Sequence, residues 1–410
     1  MIALVDCNNF FCSCELLFRP SLKTMPVVVL SSNDGCAISR NQQAKEIGIQ
    51  MGQPYFQFKA LHQQKKIAIF SANFALYNDL SIRVMNLLKK ISSKVEVYSI
   101  DEAFLEVSNA NDLCHLPETI QQYIGIPVSV AVASTKVLAK AAMLKAKKEG
   151  FYTLNPQHEQ QYLKTVALQE LWGIGRAHFQ RFHNLGLKTA YDFAHYQSTH
   201  LEMPLRQMQE ELNGKICFEL QTSPTHKKQI QSSRSLEYPL QDLGQMKQQV
   251  AQHITRCSER LRRQDSVTER VEIAAMGSRF DYPRIANIYL EVNLSHPSCD
   301  TLHILDECLS QIEKKFILAP YKKVSVRFCK ITPRYQQQLT FWQGEDPIER
   351  LQLMQQMDNL NQRYGPQTLQ SAACPLKKQK LAFSRKYLSA RYTTHWDELA
   401  QFGDYQCSRK

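Results

Sequence analysis

The chain has 410 residues, 43% of them hydrophobic and 21% charged, which suits a globular protein of about two to four domains at roughly 100–200 residues each. No run of about 18 apolar residues occurs, and the opening Met1-Ile-Ala-Leu-Val-Asp6 reaches an acid at once, so neither a membrane span nor a signal peptide is expected. The net charge of +12 is compatible with a polyanionic partner, and equally with a basic enzyme whose charge serves solubility.

In chain order, Ile2–Val5 and Val27–Leu30 are apolar runs of strand length. Residues 76–91 place Leu76, Leu80, Val84, Leu87, Leu88 and Ile91 near helical spacing. Val95–Ile100 and Ala103–Val107 read as strands, as does Pro127–Val132, and Ser134 is positioned to cap a helix running to about Lys148. Residues 166–222 read as short helices separated by Gly173, Gly175, Gly186 and Gly214. Thr225–Ser235 is polar enough for a linker. Beyond it, a helix over 246–263, alternating strands around Val271–Ala275 and Ile288–Leu294, a helix over 301–316 and a strand at Val324–Phe328 follow. If residues 229–236 are also a strand, this is a β-α-β-β-α-β order, which predicts a ferredoxin-like sheet. The stretch from about 341 is rich in Gln and Met and then basic, which predicts weak or conditional order. The twelve cysteines form no C-x-x-C pair and no zinc-spaced quartet, as expected of free thiols in a reducing cytoplasm.

Two acidic positions stand out. Asp6 ends the first strand, and Asp101-Glu102 lies between two strand-like segments. If those strands are sheet neighbours the acids converge. Two such charges 4 Å apart repel by about 4 kcal/mol at an effective dielectric of 20, so they need a cation or a proton. Hard oxygen ligands of this kind suit Mg²⁺, and two such ions activate an attacking oxygen and stabilise a leaving one. Alone, the pattern fits surface acids as well as a metal site.

The surrounding residues carry a resemblance. Asp6-Cys-Asn-Asn-Phe-Phe-Cys-Ser-Cys-Glu15 and Tyr98-Ser-Ile-Asp-Glu-Ala-Phe104 resemble the two acidic motifs of the Y-family DNA polymerases. Ser31-Ser-Asn-Asp-Gly-Cys-Ala-Ile-Ser-Arg-Asn41 with Ala44-Lys-Glu-Ile-Gly48 is similar to the fingers of the polymerase V branch. Tyr77–Met85, Leu171-Trp-Gly-Ile-Gly175, Leu185-Gly-Leu-Lys-Thr189 and Leu388-Ser-Ala-Arg-Tyr-Thr-Thr394 match in the same order.

The resemblance implies an α+β, multi-domain right-hand polymerase. Its parts are a ferredoxin-like palm (1–18 and 75–165), small fingers (19–74) and a helical thumb with a helix-hairpin-helix (166–228). A β-α-β-β-α-β little finger (229–335) and a clamp-binding peptide with a C-terminal tail (336–410) complete it. It implies error-prone translesion synthesis without proofreading, in the cytoplasm and at the nucleoid. Asp6, Asp101 and Glu102 would hold two Mg²⁺ ions, helped by the Cys7 carbonyl. Phe11 would be the steric gate that excludes a ribose 2′-hydroxyl, with Phe10 a core residue. Lys45 and Lys147, with Arg40 nearby, would grip the triphosphate. On an ideal helix Lys136, Lys140 and Lys147 fall within about 40° of one another, so they can face an anion together. One departure is Gln42, where many members carry Tyr.

Gly173, Gly175 and Lys188 would contact DNA phosphate without reading sequence. Arg256, Arg260 and Arg263 share a helix face but fit a solvated stripe as well as a DNA contact. Gln338, Leu339, Phe341 and Trp342 resemble a peptide for the β sliding clamp. Primer-template DNA, dNTPs, a cleaved UmuD-type accessory dimer and a RecA filament are the implied partners, with no membrane. A catalytically dead DNA-binding factor and a two-metal nuclease are the competing readings. Clustered acids without a cation are a liability, which argues against the first.

Overall fold

The computed structural model describes residues 1–198, 200–223, 226–240, 242–277, 287–317, 319–336, 346–374 and 385–399. The chain forms two compact units, Met1–Pro224 with Arg385–Lys410, and Thr225–Ser384. The second unit is therefore an insertion in the first, which the chain re-enters at its C-terminal end.

Among its described residues the first unit contains eight strands: β1 (Ile2–Cys7), β2 (Val27–Leu30), β3 (Ala37–Arg40), β4 (Ala68–Ser71), β5 (Val95–Val97), β6 (Glu102–Glu106), β7 (Val128–Ala133) and β8 (Phe151–Thr153). Five form one sheet in the order β5-β6-β1-β7-β8. Taking β1, β5, β6 and β7 as the four strands of a β-α-β-β-α-β unit, the first and third lie at the centre, the split βαβ arrangement. All six residues of β1 are buried, as are all six of β7, because both faces of the sheet are covered.

Side chains alternate between the faces. Ile2, Leu4, Phe104 and Ala131 pack with the helix Lys136–Glu149, whose Ala139, Ala142 and Ala146 let it sit close. Ala3, Val5, Ala103 and Leu105 pack with the helix Phe74–Ile91 through Leu76, Tyr77, Leu80 and Val84. Thr135, rather than the expected Ser134, caps the helix Lys136–Glu149 by accepting from the Leu138 N–H. Ser134 instead donates to Glu159 at 2.5 Å.

Strands β3-β2-β4 form a separate small sheet, with β2 parallel to β4. Its edge is extended by the tail, where Leu388 bridges Ser71 in parallel. Residues 168–212 fold into short helices, including Arg176–Asn184, Ala190–Ala194 and Met203–Leu212.

The second unit holds β9 (Ile230–Leu240), the helix Leu243–Arg263, β10 (Ser266–Met276), β11 (Ile288–Ser298), the helix Thr301–Lys315 and β12 (Tyr321–Pro333). The element order is the one expected, but the sheet order β11-β10-β12-β9 is not ferredoxin-like. The second and fourth strands are central and the first lies at the edge. Its sequence explains why: Pro239 has no N–H for a second neighbour, and Gln231, Ser233 and Ser235 are exposed. The expectation of weak or conditional order beyond about 341 needs correction for residues 346–374 and 385–399, the described part of that stretch. The helix Ile348–Tyr364 buries Met354, and its Asp358 receives two hydrogen bonds from Arg262 at 2.7 and 2.8 Å. No helix among the described residues is long and apolar enough to cross a membrane.

Candidate active site

The site grows out of strand parity. Asp6 pairs in register with Glu102 across the two central strands, two residues beyond the Leu4–Phe104 pair. Both acids therefore emerge on the face covered by the helix Lys136–Glu149. Cys7 N–H donates to the Asp101 carbonyl at 2.8 Å, which brings the third acid to the same end of the sheet. The acids are adjacent, yet they do not form a closed cage. Among the described residues no three His, Cys, Asp or Glu side chains are grouped to hold a metal ion. The Asp101 carboxylate accepts from the Ser99 hydroxyl at 2.5 Å, so this side chain is drawn toward its own turn.

Two ammonium groups neutralise the other acids. Lys140 donates to both oxygens of Glu102 at 2.7 Å, its charge lying 4.9 Å from the Tyr98 ring centre. Lys147 lies 3.1 Å from Asp6. Lys136, expected to face the same anion, instead pairs with buried Glu96 and the Glu219 carbonyl. Asp6 is only 6% exposed. Burial pushes its carboxyl up to about 7, Lys147 pulls it down, and contact with Glu102 pushes it up again. Such a group is held close to the point where a proton and a cation compete. The donors are hard oxygens already matched to positive charge, which fits a divalent ion such as Mg²⁺. The Cys7 thiol is buried and pushed far above its ordinary value by that burial, so it is not a nucleophile.

A cluster of cations lies beside the acids. The Lys45 ammonium is pushed below its ordinary value by burial and then by the charges of Arg40 and Lys147. Three like charges that repel one another favour a polyanion among them. Arg40 gives one terminal guanidinium N–H to the Ile49 carbonyl at 2.5 Å, and its Nε is buried without a hydrogen-bond partner.

The turn after β1 sets the aromatic pair. Asn9 adopts φ 46°, a left-handed conformation that Asn tolerates, and the helix Phe10–Leu17 starts there. Phe10 points inward and is 3% exposed. Phe11 is half-buried and stacks on Tyr77, with ring centres 4.7 Å apart and planes 18° from parallel. Phe74 meets its edge at 5.8 Å. Tyr77 donates to buried Glu15 at 2.6 Å, and so does Ser389 at 3.0 Å.

Farther along, Gly173 has φ +87°, a backbone conformation that residues with side chains rarely adopt, so glycine is favoured there. Gly175 caps the helix Arg176–Asn184 with open space around it. Lys188 is exposed, and its backbone N–H binds Asp192 at 2.9 Å. Arg260 donates to the Gln231 carbonyl and Arg263 to Glu259, so both are engaged within the second unit. Gln338, Leu339, Phe341 and Trp342 lie outside the described residues. Sequence reasoning did not single out Lys140 as the partner of Glu102, although its place on the Lys147 side of the helix was visible. It also missed the meeting of Glu15, Tyr77 and Ser389, for which no local pattern exists.

Comparison with known proteins follows the same outline. Residues 5–144 match the impB/mucB/samB family and residues 227–341 its C-terminal domain; residues 352–401 match a domain of unknown function. The protein UmuC of Salmonella typhimurium is 34% identical, over 97% of this chain and 99% of that protein. ImpB of Salmonella typhimurium is 33% identical over the same shares, and MucB of Escherichia coli 30% identical over 97% and 98%. Among solved structures, a Y-family DNA polymerase chimera of Dbh and Dpo4 superposes with a TM-score of 0.65 at 22% identity. That match covers 81% of this chain and 99% of the chimera. An insertion ternary complex of Dbh DNA polymerase gives 0.54 at 23% identity, with the same coverage. Full-length similarity at this level settles the assignment: the chain belongs to the impB/mucB/samB family, with the fold of the Y-family DNA polymerases.

Proposed function

We propose that Asp6, Asp101 and Glu102, with the Cys7 carbonyl beside them, hold two Mg²⁺ ions with which this error-prone translesion DNA polymerase extends a primer. The observation that carries this reading is the Asp6–Glu102 register pair at the end of the central strands, flanked by the Arg40, Lys45 and Lys147 charges. The primer 3′-oxygen attacks the α-phosphorus of a paired dNTP, the bond to the bridging oxygen breaks, and pyrophosphate leaves. Bound Mg²⁺ supplies electrophilic assistance to the entering and leaving oxygens. Lys45 and Lys147, with Arg40, neutralise the triphosphate. The Phe11 ring forms the floor beneath the sugar.

On this reading residues 1–18 and 75–165 are the palm, 19–74 the fingers, 166–228 the thumb and 229–335 the little finger. The fingers are a three-stranded sheet with short helices. So small a module offers little surface for checking the nascent pair, which accounts for low fidelity. Gly173, Gly175 and Lys188 hold template or primer phosphate, and Gln338, Leu339, Phe341 and Trp342 engage the β sliding clamp. The enzyme works at the nucleoid, in the cytoplasm, with an accessory dimer of the UmuD type and a RecA filament.

Primer extension across an abasic site tests the reading. Mg²⁺-dependent addition of dNTPs is expected, stimulated by the clamp in wild type but not in a Phe341→Ala, Trp342→Ala variant. Release of mononucleotides in place of extension rejects the polymerase assignment, and clamp stimulation that survives the double substitution rejects the peptide.

A pH dependence also follows. The Asp6 carboxyl, raised to about 7, carries a proton below that pH and a charge above it. Protons therefore compete with the metal on the acid side, and affinity for Mg²⁺ should fall by up to about tenfold per pH unit below 7. The half-saturating Mg²⁺ concentration for extension should be higher at pH 6 than at pH 8. Equal values at both would remove Asp6 from the ligand set.

A further inference from the structure

The C-terminal segment 385–399 belongs to the first unit and makes its contacts there with residues more than 300 positions earlier. Tyr387 exchanges two backbone-directed hydrogen bonds with Ser71, its N–H to the Ser71 hydroxyl at 3.0 Å and its carbonyl from the Ser71 N–H at 2.9 Å. Its hydroxyl lies 2.9 Å from that of Tyr55. Asn73, which caps the helix Phe74–Ile91, donates to the Ser389 carbonyl and hydroxyl and to the Ala390 carbonyl. Tyr392 stacks on Phe18 with ring centres 4.5 Å apart. The segment thus holds the N-terminal end of the helix that carries Tyr77, through Asn73, and the C-terminal end of the helix that carries Phe11, through Phe18.

Ser389 makes the contact that matters most. Its hydroxyl is buried and donates to Glu15 Oε1, the same oxygen that receives the Tyr77 hydroxyl. Tyr77 in turn stacks on Phe11. A continuous path of short contacts therefore runs from the tail to the ring beneath the sugar. The second Glu15 oxygen is buried without a hydrogen-bond partner, so both donors act on one atom and set the carboxylate rotamer between them.

We propose that residues 385–399 are an intrachain strap that fixes the Phe11–Tyr77 ring stack through Ser389 and Glu15. Ser389, Glu15 and Tyr77 are positioning residues, acting on the sugar through Phe11. This gives a role to part of the segment matched only by a domain of unknown function. Its effect on sugar choice rests on the reading of Phe11 as the gate.

The test uses the full chain and single-nucleotide primer extension, comparing kcat/KM for a dNTP and the matching rNTP. Ser389→Ala should lower that ratio roughly three- to tenfold, the scale of one buried hydrogen bond, while dNTP extension continues. Tyr77→Phe, which removes only a hydroxyl, should do the same. Ser389→Thr should restore the ratio, and Ser389→Ala should add nothing in a Phe11→Ala background. If Phe11→Ala shifts the ratio but Ser389→Ala and Tyr77→Phe do not, the strap is overturned and the gate stands. If Phe11→Ala leaves the ratio unchanged, the gate reading fails, and amide exchange of residues 10–17 decides the strap. Faster exchange in Ser389→Ala supports it, and unchanged exchange overturns it.

Discussion

Asp101→Asn should slow nucleotide addition at least about a thousandfold, the loss expected when several kcal/mol of charge stabilisation leave a transition state. The substitution is nearly isosteric. The Ser99 hydroxyl that now donates to Asp101 retains an acceptor in the amide, so the turn before β6 should persist. DNA affinity and thermal stability should therefore stay close to wild type while extension collapses at every Mg²⁺ concentration. Glu102→Gln is a less clean probe, because it also strips Lys140 of its carboxylate in a partly buried site. Extension within tenfold of wild type in Asp101→Asn would remove this residue from the chemistry.

The second large effect concerns sugar choice. Phe11→Ala should raise ribonucleotide incorporation about ten- to hundredfold, because a 2′-hydroxyl forced against a packed ring costs typically 1–3 kcal/mol. Its neighbour supplies the control. Phe10 is a core residue, and Phe10→Ala should cost about 3–5 kcal/mol of stability with no comparable gain in ribonucleotide use. The two adjacent rings thus separate specificity from packing. A dNTP/rNTP ratio unchanged in Phe11→Ala would show that the ring stacked on Tyr77 serves the fold alone.

Much of this was legible from local sequence. The apolar runs that became β1, β6 and β7 are short and bounded, so strand type and approximate ends could be read directly. Period-two alternation even fixes that Asp6 shares a face with Leu4. It does not say which strand lies beside β1, and the meeting of Asp6 with Glu102 depends on that register. The order of the second sheet was illegible for the same reason, although Pro239 held a clue to the edge position of β9. Lysine roles were read from helical spacing, which places Lys136, Lys140 and Lys147 together. Each then took a different acid, because Glu96, Glu102 and Asp6 lie on different strands.

The tail was misread most. Its basic, Gln-rich composition lacks a periodic apolar stripe, so it has no apolar face with which to order itself. What orders residues 385–399 is a set of separate anchors at Tyr387, Ser389 and Tyr392, each meeting a surface built by residues far upstream. No window of sequence contains both halves of such a contact.

That return of the chain has a consequence during synthesis. Glu15 and Ser389 lie 374 positions apart, so their hydrogen bond cannot form until the ribosome has added all the residues between them. At about 5–20 residues per second, the helix holding Phe11 waits roughly 20–75 s for its last support. A nascent or prematurely terminated chain would carry every acid and lysine of the site yet lack this support. Proteolysis of ribosome-stalled chains ending before residue 385 should find the region around Glu15 more labile than in the released protein; equal resistance would mean that completion of translation adds nothing to it.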